Sequence, residues 1–188
     1  MEAAPVSVAP VLRTARLTLG PLESRDATAL VTLAGAFEIA DTTATIPHPY
    51  TVDDARIFLA LDAAERTAGG ALRFAVRPDG ESLVGVVGLH QIDRDRLQAE
   101  LGYWIGVPWW GRGYATEAAR AVVRYGFDEL GLHKIHAHYL TRNLASGRVL
   151  ERIGMRQEGL LREQMRKWGR FEDVIVCGVL RTDAQGGV

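Results

Sequence analysis

Apolar positions along the chain change period several times, and each change predicts an element. Leu17 and Leu19 alternate with polar neighbours within Leu12 to Leu22, which predicts a strand. Ser24-Arg-Asp then offers a cap, and Ala27, Leu30, Val31 and Ala34 have helical spacing. The chain is irregular from Ala40 to Tyr50 (DTTATIPHPY closes this stretch). A second helix is predicted from Thr51, with Asp54 as the capping-box acid, Ile57, Phe58, Leu61 and Ala64 as its apolar face, and Gly69-Gly70 at its end. Three strand patterns follow, ALRFAVR, SLVGVVGLHQI and LQAELGYWIGV, joined by the tight polar turns PDGE and DRDR. They predict an antiparallel meander that stops at Pro108.

Beyond Pro108 the period returns to that of a helix. Thr116 to Leu130 is predicted helical, with Ala119, Val122, Val123 and Phe127 facing inward and Gly131 at the end. HKIHAHYL reads as a strand, with Ile135, Ala137 and Tyr139 on one face and His136 and His138 on the other. A helix is predicted from Asn143 to Ile153, closed by Gly154. The segment EGLLREQMRKWGRFEDVIVCGVL reads as a strand pair around a Trp-Gly turn. This order predicts a single α/β (α+β) domain over residues 11–182, with a loose lead-in at 1–10 and a loose tail at 183–188.

Composition narrows the classes. Of 188 residues, 47% are hydrophobic, enough for a sizeable core. The 22 basic and 23 acidic residues nearly cancel, so no global field points to nucleic acid or to an anionic membrane. Cys177 is the only cysteine; it forms no intramolecular disulfide and is expected to pack in its strand. The N-terminal stretch lacks the pattern of a secretory signal, and no apolar run is long enough to span a membrane. The expectation is a cytoplasmic protein.

The chemistry concentrates at IGVPWWGRGYATEAA. A strand ends, glycines follow, and a helix begins. The first amides of a helix lack intrahelical partners and carry partial positive charge, and glycines let an anion approach them. Neither the dinucleotide fingerprint nor the mononucleotide P-loop fits, since Thr116 holds the place of a third glycine and no Gly-Lys-Ser/Thr is present. The residues alone leave two readings open, an ordinary glycine turn and a phosphate cradle.

The wider pattern resembles the GNAT superfamily of N-acyltransferases. The resemblance runs from about Leu12 to Leu180 and is carried by LRTARLTLGPL, AELGYWIG, P-WWGRGYATEA, LTRNLASGRVLERIGM, EGLLRE and KWGRFEDVIV, in the family's order. Trp110 replaces the Gln or Arg that usually opens the acyl-CoA loop, as it commonly does in the ribosomal-protein-alanine (RimJ/RimL-like) group. The resemblance implies a GNAT fold: a central mixed, mostly antiparallel sheet of about seven strands, flanked by helices. Its fourth and fifth strands, here Leu97–Val107 and His133–Thr141, would splay apart. It implies acetyl-CoA as cosubstrate. Pantetheine would run along Trp104, Ile105, Gly106 and Val107, and the pyrophosphate would sit on the amides of Gly111, Arg112, Gly113, Tyr114, Ala115 and Thr116. No metal is expected, and this group often forms homodimers.

Transfer of an acyl group from CoA needs an amine that loses a proton and a thiolate that gains one, with no enzyme nucleophile. Asn143 reads as the N-cap of its helix, and Ser146 lies in the first turn. Many family members carry a tyrosine seven residues after this asparagine, but here that position is Leu150. The resemblance then implies Ser146 as the group that protonates the leaving thiolate, and Asn143 as a cofactor contact. Glu100 is a carboxylate in a strand, where such residues are disfavoured; it reads as the base, acting through a water chain, or as a solvent-facing strand residue or a salt-bridge partner. His90 is its rival as base, and His48 a more remote one. His136 and His138 share a strand face but lack a third ligand. Arg142 and Arg148 read either as contacts for the CoA 3′-phosphate or as solvated helix-end charges.

The leading expectation is therefore acetyl transfer to a primary amine, a protein N-terminal α-amine by resemblance to the group. The same fold also accommodates a small-molecule amine acceptor or a succinyl-CoA-type donor. A catalytically silent CoA-binding module is the non-enzyme alternative, and the intact Asn143, Ser146 and Glu100 argue against it.

Overall fold

The computed structural model describes residues 10–79 and 81–185. Residues 1–9, which make up most of the expected lead-in, and residues 186–188 of the expected tail lie outside it. The first predicted strand is instead two, β1 (Leu12–Arg13) and β2 (Leu17–Gly20), paired as a hairpin. Thr14 makes the turn: its N–H donates to the Leu17 carbonyl at 2.9 Å, and its Oγ1 accepts the Leu17 N–H at 3.0 Å. Such local side-chain bonds compete with a continuous strand.

Two helices cross the next segment. α1 (Ala27–Ala34) follows a turn capped by Glu23 and Asp26. α2 (Phe37–Thr42) lies partly within the stretch predicted to be irregular. α3 (Val52–Thr67) starts at Thr51 as predicted, with Thr51 and Asp54 each accepting the other's backbone N–H. Of its predicted apolar face only Phe58 packs against the core. Ile57 and Leu61 are 58% and 55% exposed, while Ala55 and Asp62 are buried. Spacing locates a stripe on a helix but does not say what the stripe faces.

The meander is as predicted: β3 (Ala71–Pro78), β4 (Gly85–Asp93) and β5 (Gln98–Ile105) pair antiparallel in sequence order. α4 (Tyr114–Asp128) follows, starting two residues earlier than expected behind Gly113. Then come β6 (Lys134–Leu140), α5 (Leu144–Arg152), β7 (Arg156–Lys167), β8 (Arg170–Leu180) and α6 (Arg181–Gln185). Residues 183–185, read from sequence as loose, belong to that last short helix. The sheet has eight strands in the order β1-β2-β3-β4-β5-β6-β8-β7, one more than expected because the first strand is divided.

Every neighbouring pair is antiparallel except β5 and β6. Those two pair in parallel only where Gln98–Glu100 meets Lys134–His136, and both continue beyond it unpaired to each other. This is the expected fork. α4 packs on one face of the sheet, with Val122 and Phe127 against Leu89, Leu101, Ile135 and Ala137. Burying each such aliphatic side chain is worth about 1.5–3 kcal/mol. Gly126 allows the close approach: a Cβ there would lie 2.8 Å from Ile135 Cδ1. α1 and α3 cover part of the other face, over Ala75, Val86 and Trp104. Strand alternation therefore puts Glu100, His90, His136 and His138 on the face opposite α4. Cys177 is buried in β8, where burial pushes its thiol pKa up. Among the described residues, no helix is long and apolar enough to cross a membrane.

Candidate active site

The fork opens into a cleft of about 1140 Å³. One wall is the glycine loop. Gly111 and Gly113 have φ of 75° and 79°, a conformation that side-chain-bearing residues rarely adopt. No side chain caps the start of α4, which leaves its first amides without a side-chain partner, and Gly111, Gly113, Tyr114, Ala115 and Thr116 line the cleft there. Arg16 braces this loop. It donates to Glu117 through Nε at 2.7 Å and to the Arg112 carbonyl at 3.0 Å, and lies over the Tyr114 ring at 5.1 Å. Thr14 Oγ1 also donates to Glu117, at 2.6 Å. Burial alone would raise the Glu117 pKa, but these bonds outweigh it and lower the value. Arg16 was not found from sequence, although it lies within the LRTARLTL signature.

The tryptophans form the adjoining wall. Trp110 Nε1 donates to the Ile105 carbonyl at 2.5 Å. Trp109 packs 6.3 Å from the Tyr114 ring, with the Arg112 guanidinium 4.6 Å from the Trp109 ring centre. Arg112 is thus turned onto Trp109 and stands outside the cleft lining, as do Gly106 and Val107. Gly106 gives its N–H to the Val84 carbonyl at 2.8 Å, and Val107 begins a short 3₁₀ turn. Of the strand positions expected to meet pantetheine, Trp104 and Ile105 line the cleft.

Asn143 caps α5, its Oδ1 accepting the Ser146 N–H at 3.1 Å. The Ser146 hydroxyl stands 2.9 Å from the Tyr103 hydroxyl, and Tyr103 also donates to the Ser146 carbonyl at 3.1 Å. Burial pushes the Tyr103 phenol pKa far up, so the phenol keeps its proton. Tyr103 is not singled out by the sequence, where AELGYWIG points to Glu100 and to the pantetheine positions Trp104, Ile105 and Gly106. Leu150 is buried in the core and offers no donor.

Glu100 is 7% exposed and sits among three imidazoles. His138 Nδ1 is 2.5 Å from Glu100 Oε1, His90 Nε2 is 3.9 Å from the same oxygen, and His136 Nε2 is 3.9 Å from Oε2. Burial raises the Glu100 pKa, but the His138 hydrogen bond and the three imidazoles outweigh it and leave it lowered. The Glu100 bond raises His138, whereas burial lowers His90 and His136. The carboxylate is thus neither solvated nor isolated. Glu100, His90 and His138 all line the cleft. Among the described residues, no group of three or more His, Cys, Asp and Glu side chains is arranged to hold a metal ion.

Two other candidates are placed elsewhere. Arg142 is exposed and pairs with Asp41 at 2.6 Å and Glu172 at 3.0 Å, and it stands outside the cleft lining. His48 packs edge-on against Phe37 and is outside the cleft lining. Arg148 lines the cleft.

A forked sheet with an uncapped helix start at one side of the fork and a carboxylate at the other defines an acyltransferase architecture. Residues 16–156 match the family model described as an acetyltransferase (GNAT) domain, and the chain belongs to that family. It is an N-acetyltransferase of GNAT type. It is 31% identical over 176 residues to p20, an uncharacterised N-acetyltransferase of Bacillus licheniformis, covering 93% of this chain and 98% of that one. The ribosomal protein uS5-alanine N-acetyltransferase of Escherichia coli (strain K12) is 32% identical over 117 residues, which are 61% of this chain and 60% of its own length. That likeness supports the RimJ/RimL-like grouping. Among solved structures, a probable acetyltransferase superposes with a TM-score of 0.85 at 26% identity, covering 92% of this chain and 98% of its own. A spermidine N-acetyltransferase from Vibrio cholerae, in complex with CoA and spermine, gives 0.80 at 26% identity over 92% and 99%.

Proposed function

We propose that this enzyme takes acetyl-CoA as donor and a protein N-terminal α-amine as acceptor, with direct transfer in a ternary complex. The observation that carries the reading is the division of proton-handling groups across the fork. By strand alternation Glu100 projects on one face of β5 and Tyr103, with Ser146, on the other, and all three line one cleft.

Acetyl-CoA supplies an acetyl group activated as a thioester. The uncapped amides at the start of α4, with Gly111 and Gly113, suit its pyrophosphate. Trp104 and Ile105 flank the path through the fork, and Asn143 fixes the turn that carries Ser146. Glu100 receives one proton from the acceptor ammonium, which frees the nitrogen lone pair. Ser146 supplies a proton to the departing sulfur, and Tyr103 holds its hydroxyl. Ser146 regains its proton from the nitrogen that has attacked, so from ammonium to amide the nitrogen loses two N–H bonds and gains one N–C bond: one proton leaves through Glu100 to solvent and the other is balanced by the S–H bond of CoA.

The acceptor side favours one amine on a largely uncharged body. Its exposed apolar residues, Ile57 and Leu61, lie one turn apart on α3. Glu65 and Glu100 are the carboxylates among the residues lining the cleft, and Glu65 is bound by Arg73 at 2.6 Å. A polyamine would find one carboxylate without an arginine partner. Acetyl-CoA consumption with peptides beginning in Ala or Ser, against small amines including spermidine, tests the acceptor. Faster turnover of a small amine would overturn the peptide reading. Thermal stabilisation by CoA with no turnover of any amine would favour the silent module.

A further inference from the structure

β5 and β6 stop pairing at Glu100 and His136. His138 is the next β6 residue on that face, and thus the first beyond the point of divergence. Its Nδ1 nevertheless meets Glu100 Oε1 at 2.5 Å, spanning the mouth of the fork. The other two imidazoles, each 3.9 Å from a carboxylate oxygen, are beyond hydrogen-bond reach.

We propose that His138 is a positioning residue for acyl transfer: it anchors Glu100 at the mouth of the fork, so that the carboxylate meets the acceptor ammonium in one fixed orientation. This rests on the reading of Glu100 as the group that takes the amine proton. A buried carboxylate without a partner tends to protonate, and a protonated Glu100 cannot accept that proton. The charges around the cluster come from several elements. Arg73 on β3 and Glu65 on α3 act on His90, and Lys134 on β6 and Glu158 on β7 act on His136. Glu100 is the group that acts on His138 by both hydrogen bond and charge. Loss of His138 therefore leaves the burial of Glu100 opposed only by the two more distant imidazoles.

The test uses the full chain with His138→Leu, His138→Asn and Glu100→Gln, and a peptide acceptor. In His138→Leu, kcat/KM for the amine should fall about ten-fold or more, and its acidic limb should move up by about one pH unit. The Kd for CoA alone should stay within about two-fold. His138→Asn, whose amide nitrogen can stand near the Nδ1 position, should recover most of kcat/KM and serves equally if the leucine variant folds poorly. An unshifted acidic limb with undiminished kcat/KM, while Glu100→Gln is inactive, would overturn the role of His138 and leave that of Glu100 standing. Lost activity with a raised CoA Kd and an unshifted limb would also overturn it, making His138 a strut of the fork alone. Full activity in Glu100→Gln would instead remove the proton-acceptor reading of Glu100 itself.

Discussion

The hydroxyls of Tyr103 and Ser146 lie 2.9 Å apart, joining β5 to the first turn of α5 at the fork. The phenol keeps its one proton and has both Ser146 oxygens within reach; when it turns to the serine Oγ, the serine proton is left free to serve the sulfur. Ser146→Ala is expected to lower kcat by about 10²-fold, with the KM for acetyl-CoA changed little. Tyr103→Phe should have a smaller effect, about ten-fold or less, because Asn143 still places the serine backbone. Steady-state release of the CoA thiol measures both. A wild-type kcat in Ser146→Ala would remove the serine from the mechanism.

Arg16 neutralises Glu117 in the very turn whose amides are assigned to the pyrophosphate. Arg16→Met is expected to weaken CoA binding about ten-fold, the consequence of about 1.4 kcal/mol of like-charge repulsion near the surface. Adding Glu117→Gln to that variant should bring affinity back toward wild type. Calorimetric titration with CoA at two salt concentrations checks this, since the repulsion should weaken as salt rises.

Gly113→Val should abolish CoA binding. A β-branched residue is strained at φ 79°, and its side chain would stand where the phosphate approaches. With CoA at one hundred times its Kd, the wild-type protein should gain about 2.7 kcal/mol, a rise in Tm of roughly 5–11 °C. The variant should show no CoA-dependent rise in the same melting experiment.

The Glu100–His138 pair also links folding to pH. The carboxylate raises His138 above its ordinary 6.5, so their pairing contributes fully below 6.5 and is lost as pH rises through the elevated value. Glu100 is lowered from 4.5, so on the acid side the contribution fades below 4.5, through the folded value. Imidazole NMR should show His138 titrating above His90 and His136, with His138 falling in Glu100→Gln. Urea denaturation across pH should show the wild-type advantage over that variant shrinking above 6.5. Identical titration of His138 in the two proteins would exclude the pair.

Local signals were legible in the sequence where local chemistry decides the outcome. Thr51 and Asp54 cap α3, Asn143 caps α5, and the meander follows its two polar turns. What escaped depends on long-range registry. Ile57 and Leu61 have core-like spacing, yet they face a cleft that exists only because β5 and β6 diverge. His90 and Glu100 are neighbours by strand register, whereas His138 reaches Glu100 from a strand that arrives after an intervening helix. Arg16 and Glu117 are 101 residues apart, and Tyr103 and Ser146 are 43 apart. No window along the chain contains both members of either pair.

Trp104, Trp109 and Trp110 line the cleft, and the chain's fourth tryptophan, Trp168, stands beside Phe37 away from it. The protein therefore carries its own optical reporter. Three of its four indoles stand at the cleft, where Trp110 is about half exposed. Quenching or a spectral shift on adding CoA would register occupancy without a label, and Trp168→Phe would leave that signal while removing its background.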